Sequence, residues 1–184
     1  EGVRRLSTLF TTGRDGRLTD YLADRALRRA YLLYFFPVNY AKVAGLLREM
    51  PAFPVRPLRI LDVGSGPGTA SLAVLGHLAR LGQTGHHGSE VIAVDHNLQA
   101  LQEAEALWTL LSGGRAEKPA YVFRAKHADA ERADVQTPWK QGPFDLVMLA
   151  NSLNELHCSA ADPVAARVKL LGPLLKALAP DGTL

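Results

Sequence analysis

Three glycines, Gly64, Gly66 and Gly68, stand at every second position between a short apolar segment and a helical pattern. Ser65 lies among them, and Asp62 lies two residues before the first glycine. Glycine lets the backbone turn sharply and lets a ligand approach the main chain. The start of the following helix supplies N–H groups and a partial positive charge. The spacing is G-x-G-x-G, whereas dinucleotide-binding loops have G-x-G-x-x-G. With the preceding acid, this pattern favours a cofactor that has a cationic amino-acid end over one that has a diphosphate.

Two further acids follow predicted strands. Asp95 ends the second strand, where a carboxylate accepts both hydroxyls of a ribose; the alternative is a cap for the helix that starts near Asn97. The next residue, His96, is a candidate neighbour of the ribose or adenine. Asp129, after the third strand, is a candidate acceptor from an adenine amino group. Asp134 competes for the same role, and a further alternative is that the acid is exposed and has no role.

The segment after the fourth strand carries the candidates for catalysis. Asn151 stands at the end of that strand, but the run Asn151-Ser152-Leu153-Asn154 departs from the N-P-P-aromatic pattern of amine-methylating enzymes. Glu155 is a candidate general base or a capping acid. Cys158, as a thiol nucleophile, would need activation and is better explained by packing. The catalytic residues therefore stay unassigned.

Apolar runs and helical patterns alternate along residues 58–184 and predict an α/β fold with a doubly wound, mostly parallel sheet. The predicted strands are 58–63, 90–95, 120–126 and 144–150, and the predicted helices are 69–81, 98–111 and 163–178. Residues 179–184 open a fifth strand, so the sheet is expected to be truncated there. The expected domains are a helical segment with a proline-rich linker, 1–57, and a Rossmann-like domain, 58–184.

The N-terminal segment predicts two helices within residues 17–50, the first capped by Thr19 and ended or kinked at Pro37. Asn39, Tyr40 and Lys42 are candidates to reach a bound cofactor. The aromatic side chains at 31, 34 and 35 are expected to pack in a core.

The composition is that of a soluble domain: 184 residues, 47% hydrophobic and 21% charged. No membrane partner is expected, and one cysteine indicates a reducing compartment, so the expected localisation is cytoplasmic. His86 and His87 lack further ligands at suitable spacing, and no metal site is expected. Residues 1–50 hold nine Lys/Arg against five Asp/Glu, which is compatible with an RNA partner or simply with a solvated helix face.

Together the glycine loop, Asp95, Asp129 and the strand running from Phe144 to Asn151 resemble the class I S-adenosylmethionine-dependent methyltransferases. The resemblance implies a Rossmann-like methyltransferase fold, of which this chain spans about half the strands. It also implies that S-adenosylmethionine is the cofactor, with its amino end at Asp62, its methionine part beside Gly64 and Gly66, and its ribose at Asp95.

A narrower resemblance rests on residues 29–42, 64–70 and 152–156, which are similar to the methyltransferase-like proteins of the small ribosomal subunit in mitochondria and bacteria. That kinship implies ribosomal RNA or the assembling small subunit as partner. It leaves two functions open, an RNA methyltransferase and a catalytically silent assembly factor. A third alternative, an NAD-dependent dehydrogenase, is disfavoured by the glycine spacing.

Overall fold

Five parallel strands form a sheet in the order β3-β2-β1-β4-β5. The computed structural model describes residues 1–11, 21–82, 84–112, 120–132 and 138–184. The strands are Arg59–Val63 (β1), Ser89–Asp95 (β2), Tyr121–His127 (β3), Phe144–Met148 (β4) and Leu178–Thr183 (β5). The strand order reverses between β1 and β4, and such a switch point opens a crevice at the carboxyl ends of the strands.

Helices lie on both faces of this sheet, which confirms the predicted α/β class. They are Gly2–Thr11 (α1), Arg25–Ala30 (α2), Phe36–Glu49 (α3), Thr69–Leu81 (α4), Leu98–Leu111 (α5) and Pro163–Lys176 (α6). A π-helical turn, Tyr31–Phe35, joins α2 to α3, and 3₁₀ turns occupy Thr84–His86 and Pro138–Gln141. None of the helices in the described ranges combines the length and apolar character needed to cross a membrane.

Alternate residues of β1 enter the two apolar cores that hold the layers together. Ile60 is buried in a core with Leu78 of α4, whereas Leu61 is buried in a second core with Leu174 of α6. Because successive strand side chains point to opposite faces, a strand covered on both sides is mostly apolar, and Asp62 is the buried polar exception in β1. This explains why the central strands are legible as continuous apolar runs.

Most predicted boundaries agree with the structure to within a residue, and those of α4 and α5 agree fully. Two segments end earlier than predicted. β4 stops at Met148 because the chain enters a turn in which Asn151 has a φ of 63°. The helix α6 stops at Lys176, since Leu178 already pairs with Phe144 as the start of β5.

Pro37 does not end the helical run, which continues through it from Arg25 to Glu49, and the alternative of a kink at Pro37 stays a prediction. In the π turn the N–H of Phe36 donates to the carbonyl of Tyr31, five residues earlier. Pro37 follows directly, in the first turn of α3. Since the regular pattern of hydrogen bonds is already shifted there, the missing proline N–H is tolerated. Asp24 caps α2; the predicted cap Thr19 lies outside the described residues.

Candidate functional site

A cavity of about 540 Å³ opens at the carboxyl ends of the strands, within the size range of small-molecule sites. Its walls come from the glycine loop after β1, the ends of β2 and β3, the segment after β4, and the N-terminal helices. Eight of the nine predicted site residues line it: Asp62, Gly64, Ser65, Gly66, Asp95, His96, Asp129 and Asn151. The ninth, Gly68, is the N-cap of α4, and a Cβ built there would lie 3.0 Å from Ala104 Cβ.

The glycine loop turns tightly against neighbouring backbone. The N–H groups of Gly64 and Ser65 both donate to the carbonyl of Val94, at 2.8 and 3.0 Å. Gly64 has a φ of 69°, and a Cβ built on it would lie 2.4 Å from Ser152 Cβ. Ser152 is fixed in turn, because its hydroxyl donates to the carbonyl of Val63 at 2.6 Å. The loop after β1 and the turn after β4 are thus joined at the floor of the cavity.

Asp95 connects the end of β2 to that loop. Its side chain is buried, and Oδ2 accepts from the N–H of Gly66 at 2.7 Å, while Oδ1 accepts from the N–H of Asn97 at 2.8 Å. Asn97, not Asp95, is the N-cap of α5, since its side chain accepts from the N–H of Ala100. The structure therefore gives the capping role to Asn97 and leaves Asp95 on the cavity wall. An ionised carboxylate has about four acceptor sites, so it can accept from several partners at once.

Asp62 is almost completely buried, with 1% of its surface exposed, and still lines the cavity. Its Oδ2 accepts from the N–H and the hydroxyl of Ser71, at 3.0 and 2.7 Å. Burial raises its pKa to about 6, against the lowering effect of Ser71 and with a small further increase from Asp95. The carboxyl group is therefore ionised at neutral pH but close to protonation, and a cationic ligand group would favour its ionised form.

Asp129 and His96 lie on the wall nearest to β3. The Oδ1 of Asp129 accepts from the N–H of Glu131 at 2.9 Å. His96 has a largely exposed ring with Nδ1 3.6 Å from Asp95 Oδ1, and its carbonyl is 2.8 Å from His127 Nε2. The first of the His96 contacts places its ring beside the buried Asp95, and Asp129 lines the same cavity. The competing candidate, Asp134, lies outside the described residues.

The N-terminal helices supply the opposite wall. Of the three residues predicted to reach a cofactor, Asn39 and Lys42 line the cavity, whereas Tyr40 packs beside α4, with its hydroxyl 2.4 Å from a Cβ built on Gly76. Tyr31 and Phe35 line the cavity as well as packing in an apolar cluster. The core prediction for the third aromatic residue, Tyr34, was wrong, since it is 52% exposed.

Sequence reasoning missed the contribution of α1 to this wall. Phe10 and Leu9 line the cavity, although they precede the glycine loop by more than fifty residues. Helical spacing was the available signal for the other side chains, because Tyr31, Phe35, Asn39 and Lys42 recur on one helix face. Burial raises the pKa of the Tyr31 phenol, and the nearby carboxylates of Glu155 and Asp62 raise it further.

The described cavity wall is strongly acidic. Its charged side chains are Asp62, Asp95, Asp129, Glu131 and Glu155, with Lys42 as the single cation among the described lining residues. Such a surface attracts a cationic ligand and repels a diphosphate. Cys158 also lines the cavity. Within the described ranges, no three potential metal-ligating side chains come together.

No protein-family model and no curated protein sequence matches the chain. Solved structures of similar fold include the YcgJ protein of Bacillus subtilis, at 19% identity over 73% of this chain and 46% of that one, with a TM-score of 0.44. Magnesium protoporphyrin IX methyltransferase of Synechocystis has 17% identity over 97% of this chain and 72% of that one, with a TM-score of 0.49. Arsenic(III) S-adenosylmethionine methyltransferase of Chlamydomonas reinhardtii has 20% identity over 80% of this chain and 46% of that one, with a TM-score of 0.48. The chain spans less than half the length of the first and the third, and at these identities the likeness concerns the fold alone.

Proposed function

We propose that this chain binds S-adenosylmethionine in the acidic cavity and forms the cofactor-binding part of a methyltransferase. The observation that carries the proposal is that Asp62 and Asp95 both line the cavity beside the glycine loop, where Asp95 accepts the N–H of Gly66. A sulfonium nucleoside has a cationic amino-acid end and a ribose, and carboxylates suit both groups. The acidic wall opposes the diphosphate of NAD, so the dehydrogenase alternative is not favoured.

Each predicted residue has a role in this proposal. Asp62 would hold the ammonium group, Gly64, Ser65 and Gly66 would lie along the methionine part, and Asp95 would accept from the ribose hydroxyls. His96 and Asp129 would flank the adenine, and Asn151 would face the reacting end.

The cofactor supplies an activated methyl group. What the protein must add is alignment and exclusion of water, which account for about 7–11 kcal/mol of barrier lowering in favourable cases. No general base needs to be assigned for the cavity to serve this purpose.

For the methyl acceptor we propose RNA, and for the partner the small ribosomal subunit. The support is electrostatic: the N-terminal fifty residues have a positive balance, and Arg4, Arg5, Arg25 and Arg29 are exposed on α1 and α2. Phosphate contacts by such side chains dominate the affinity of proteins for RNA and make it sensitive to salt. The acidic cavity would then bind the cofactor, and the basic helices would bind RNA.

A second function, a catalytically silent assembly factor, is favoured by one observation. The turn after β4 contains Asn151-Ser152-Leu153-Asn154, without the prolines and aromatic residue of amine-methylating enzymes. This function requires the same RNA contacts and no methyl transfer.

A transfer assay distinguishes the two functions. The full chain is incubated with small ribosomal subunits and S-adenosylmethionine tritiated in the methyl group, and a pull-down of the same subunits runs beside it. Incorporation of tritium into RNA, lost in an Asp95→Ala variant, supports the enzyme. Subunit binding without incorporation supports the assembly factor. The absence of both binding and incorporation would contradict the proposed partner.

A further inference from the structure

The helices α1 and α2 have an apolar core of their own. Leu6 of α1 is buried with Leu27 and Ala30 of α2, and this cluster is distinct from the two cores that involve the sheet. A unit that has its own core can move as a body relative to the rest of a fold. Residues 2–11 and 21–30 are here called the N-terminal unit.

The N-terminal unit joins the rest of the chain through the π turn Tyr31–Phe35. Beyond this turn α3 is anchored to the layers of the fold, since Leu47 is buried in the same core as Leu78 of α4. Sharp kinks in long helices occur at π turns, which often lie at functional sites. The π turn is therefore the position at which the unit can rotate relative to α3.

The N-terminal unit covers residues that the proposed function assigns to the cofactor. The Leu22 side chain is buried, and its Cδ1 is 3.5 Å from a Cβ built on Gly66. Although Asp62 and Asp95 line the cavity, they expose only 1% and 6% of their surfaces. Because so little of either carboxylate is accessible, a ligand that binds both must enter while the unit is displaced.

An ion pair fastens the N-terminal unit to α5, the helix that follows β2. Arg28 Nε lies 3.3 Å from Glu103 Oε1, and the Arg28 side chain is only 12% exposed. The same guanidinium donates to the carbonyl of Leu22 at 2.6 Å. One arginine thus holds the residue that packs over the glycine loop and connects it to α5.

We propose that the N-terminal unit is a lid over the cofactor site, hinged at the π turn and held closed by the ion pair of Arg28 with Glu103. This inference rests on the proposed function, since it takes the region of Asp62, Gly66 and Asp95 as the cofactor site. It adds that the ligand enters and leaves through the open lid. Glu103 acts on closure alone, because it lies outside the described cavity lining.

Weakening the ion pair should change the rates of binding and leave the equilibrium affinity unchanged. The pair stabilises the closed lid equally with and without ligand, so its loss raises the open fraction of both states by the same factor. Association and dissociation then accelerate together, and the dissociation constant stays constant. A side chain that contacts the ligand, or one that supports only the liganded state, would change the dissociation constant instead.

The test uses Glu103→Gln, which removes the charge and keeps the size of the side chain. Its matched control is Glu105→Gln, at an exposed acid on the same helix. Surface plasmon resonance on the immobilised full chain measures both rate constants for S-adenosylhomocysteine. We expect Glu103→Gln to raise both rate constants by about two- to fivefold, the size expected for a partly exposed ion pair, at an unchanged dissociation constant. Glu105→Gln should keep the wild-type rates.

A thiol reporter follows the lid in the ligand-free chain. Ser65, which is 7% exposed and adjoins Gly66, is replaced in a Ser65→Cys, Cys158→Ser background, and the rate of its reaction with a maleimide is measured. Adding Glu103→Gln should accelerate labelling by about the same factor as it accelerates association. Adding Glu105→Gln should leave the labelling rate unchanged.

Three results would overturn the lid: unchanged rate constants in Glu103→Gln, a faster dissociation that is matched by an equal loss of affinity, or an unaltered labelling rate in the ligand-free variant. Failure of the wild-type chain to bind S-adenosylhomocysteine is a separate outcome. It contradicts the proposed function, whereas the labelling experiment still tests the opening of the lid.

Discussion

The carboxylate of Asp95 accepts the N–H of Gly66 at 2.7 Å, across 29 residues of chain. The acid at the end of β2 therefore holds the middle of the loop that follows β1. Because the same side chain lines the cavity, the shape of the glycine loop and the acidity of the site depend on one group. This coupling accounts for the presence of a buried carboxylate that would otherwise be costly.

Replacing Asp95 by Ala should weaken the binding of S-adenosylmethionine. The variant loses a charged acceptor for the ligand and the support of Gly66, and hydrogen bonds to charged groups contribute about 1.5–3 kcal/mol. We expect a loss of about tenfold or more in affinity by isothermal calorimetry. The matched control is Asp181→Ala, an exposed acid on β5 outside the cavity. An unchanged affinity in folded Asp95→Ala would remove this residue from the site.

Gly64→Ala should destabilise the protein more than Gly82→Ala. Both glycines have positive φ, 69° and 62°, but a Cβ at Gly64 meets Ser152 at 2.4 Å, whereas one at Gly82 meets nothing within 4 Å. The left-handed conformation alone costs about 1–2 kcal/mol, and overpacking adds about 1–3 kcal/mol. Urea unfolding measures both variants. Similar losses in the two would show that the contact with Ser152 is unimportant.

The raised pKa of Asp62 predicts a pH-dependent stability. The carboxyl group titrates near 3.8 in the unfolded chain and at about 6 in the folded protein, so the folded state binds the proton more tightly. Its contribution to the free energy of unfolding is therefore fully present below pH 4 and is lost as the pH rises through 6. The loss is about 3 kcal/mol.

Subtraction of an Asp62→Asn variant isolates this contribution from other titrating groups. The difference in unfolding free energy, wild type minus variant, should fall between pH 4 and pH 7 when urea unfolding is measured at each pH. A difference that is independent of pH, or that rises with pH, would mean that folding does not raise the pKa of Asp62.

The same group predicts how ligand affinity responds to pH. An ammonium group binds the ionised carboxylate of Asp62, so affinity for S-adenosylmethionine should decline below pH 6, by up to about tenfold per pH unit. The Asp62→Asn variant should bind weakly across that range with little pH dependence. Wild-type affinity that improves on acidification would separate Asp62 from the cationic end of the ligand.

The central layers of the fold were predictable because their signals are local. The strands β1, β2 and β4 are buried on both faces and are continuous apolar runs, and glycines mark the ends of α4. The floor of the cavity followed from the same logic, since the carboxyl ends of neighbouring parallel strands meet at one edge. Asp62, Asp95 and Asp129 are thus brought to one cavity.

The wall formed by the N-terminal helices was not predictable in the same way. Phe10 reaches Phe35 through tertiary packing between α1 and the π turn, and no periodicity within either segment encodes that contact. The π turn itself adds one residue to the helical repeat before Pro37, where a proline ordinarily predicts a helix end. The assignment of roles to the individual cavity residues stays a prediction.

The most direct test of the account is a calorimetric titration of the wild-type chain with S-adenosylmethionine and, separately, with NAD. An acidic cavity with a glycine loop held by Asp95 predicts saturable binding of one S-adenosylmethionine per chain and no heat from NAD. Binding of NAD alone, or of neither compound by a folded chain, would contradict the central claim.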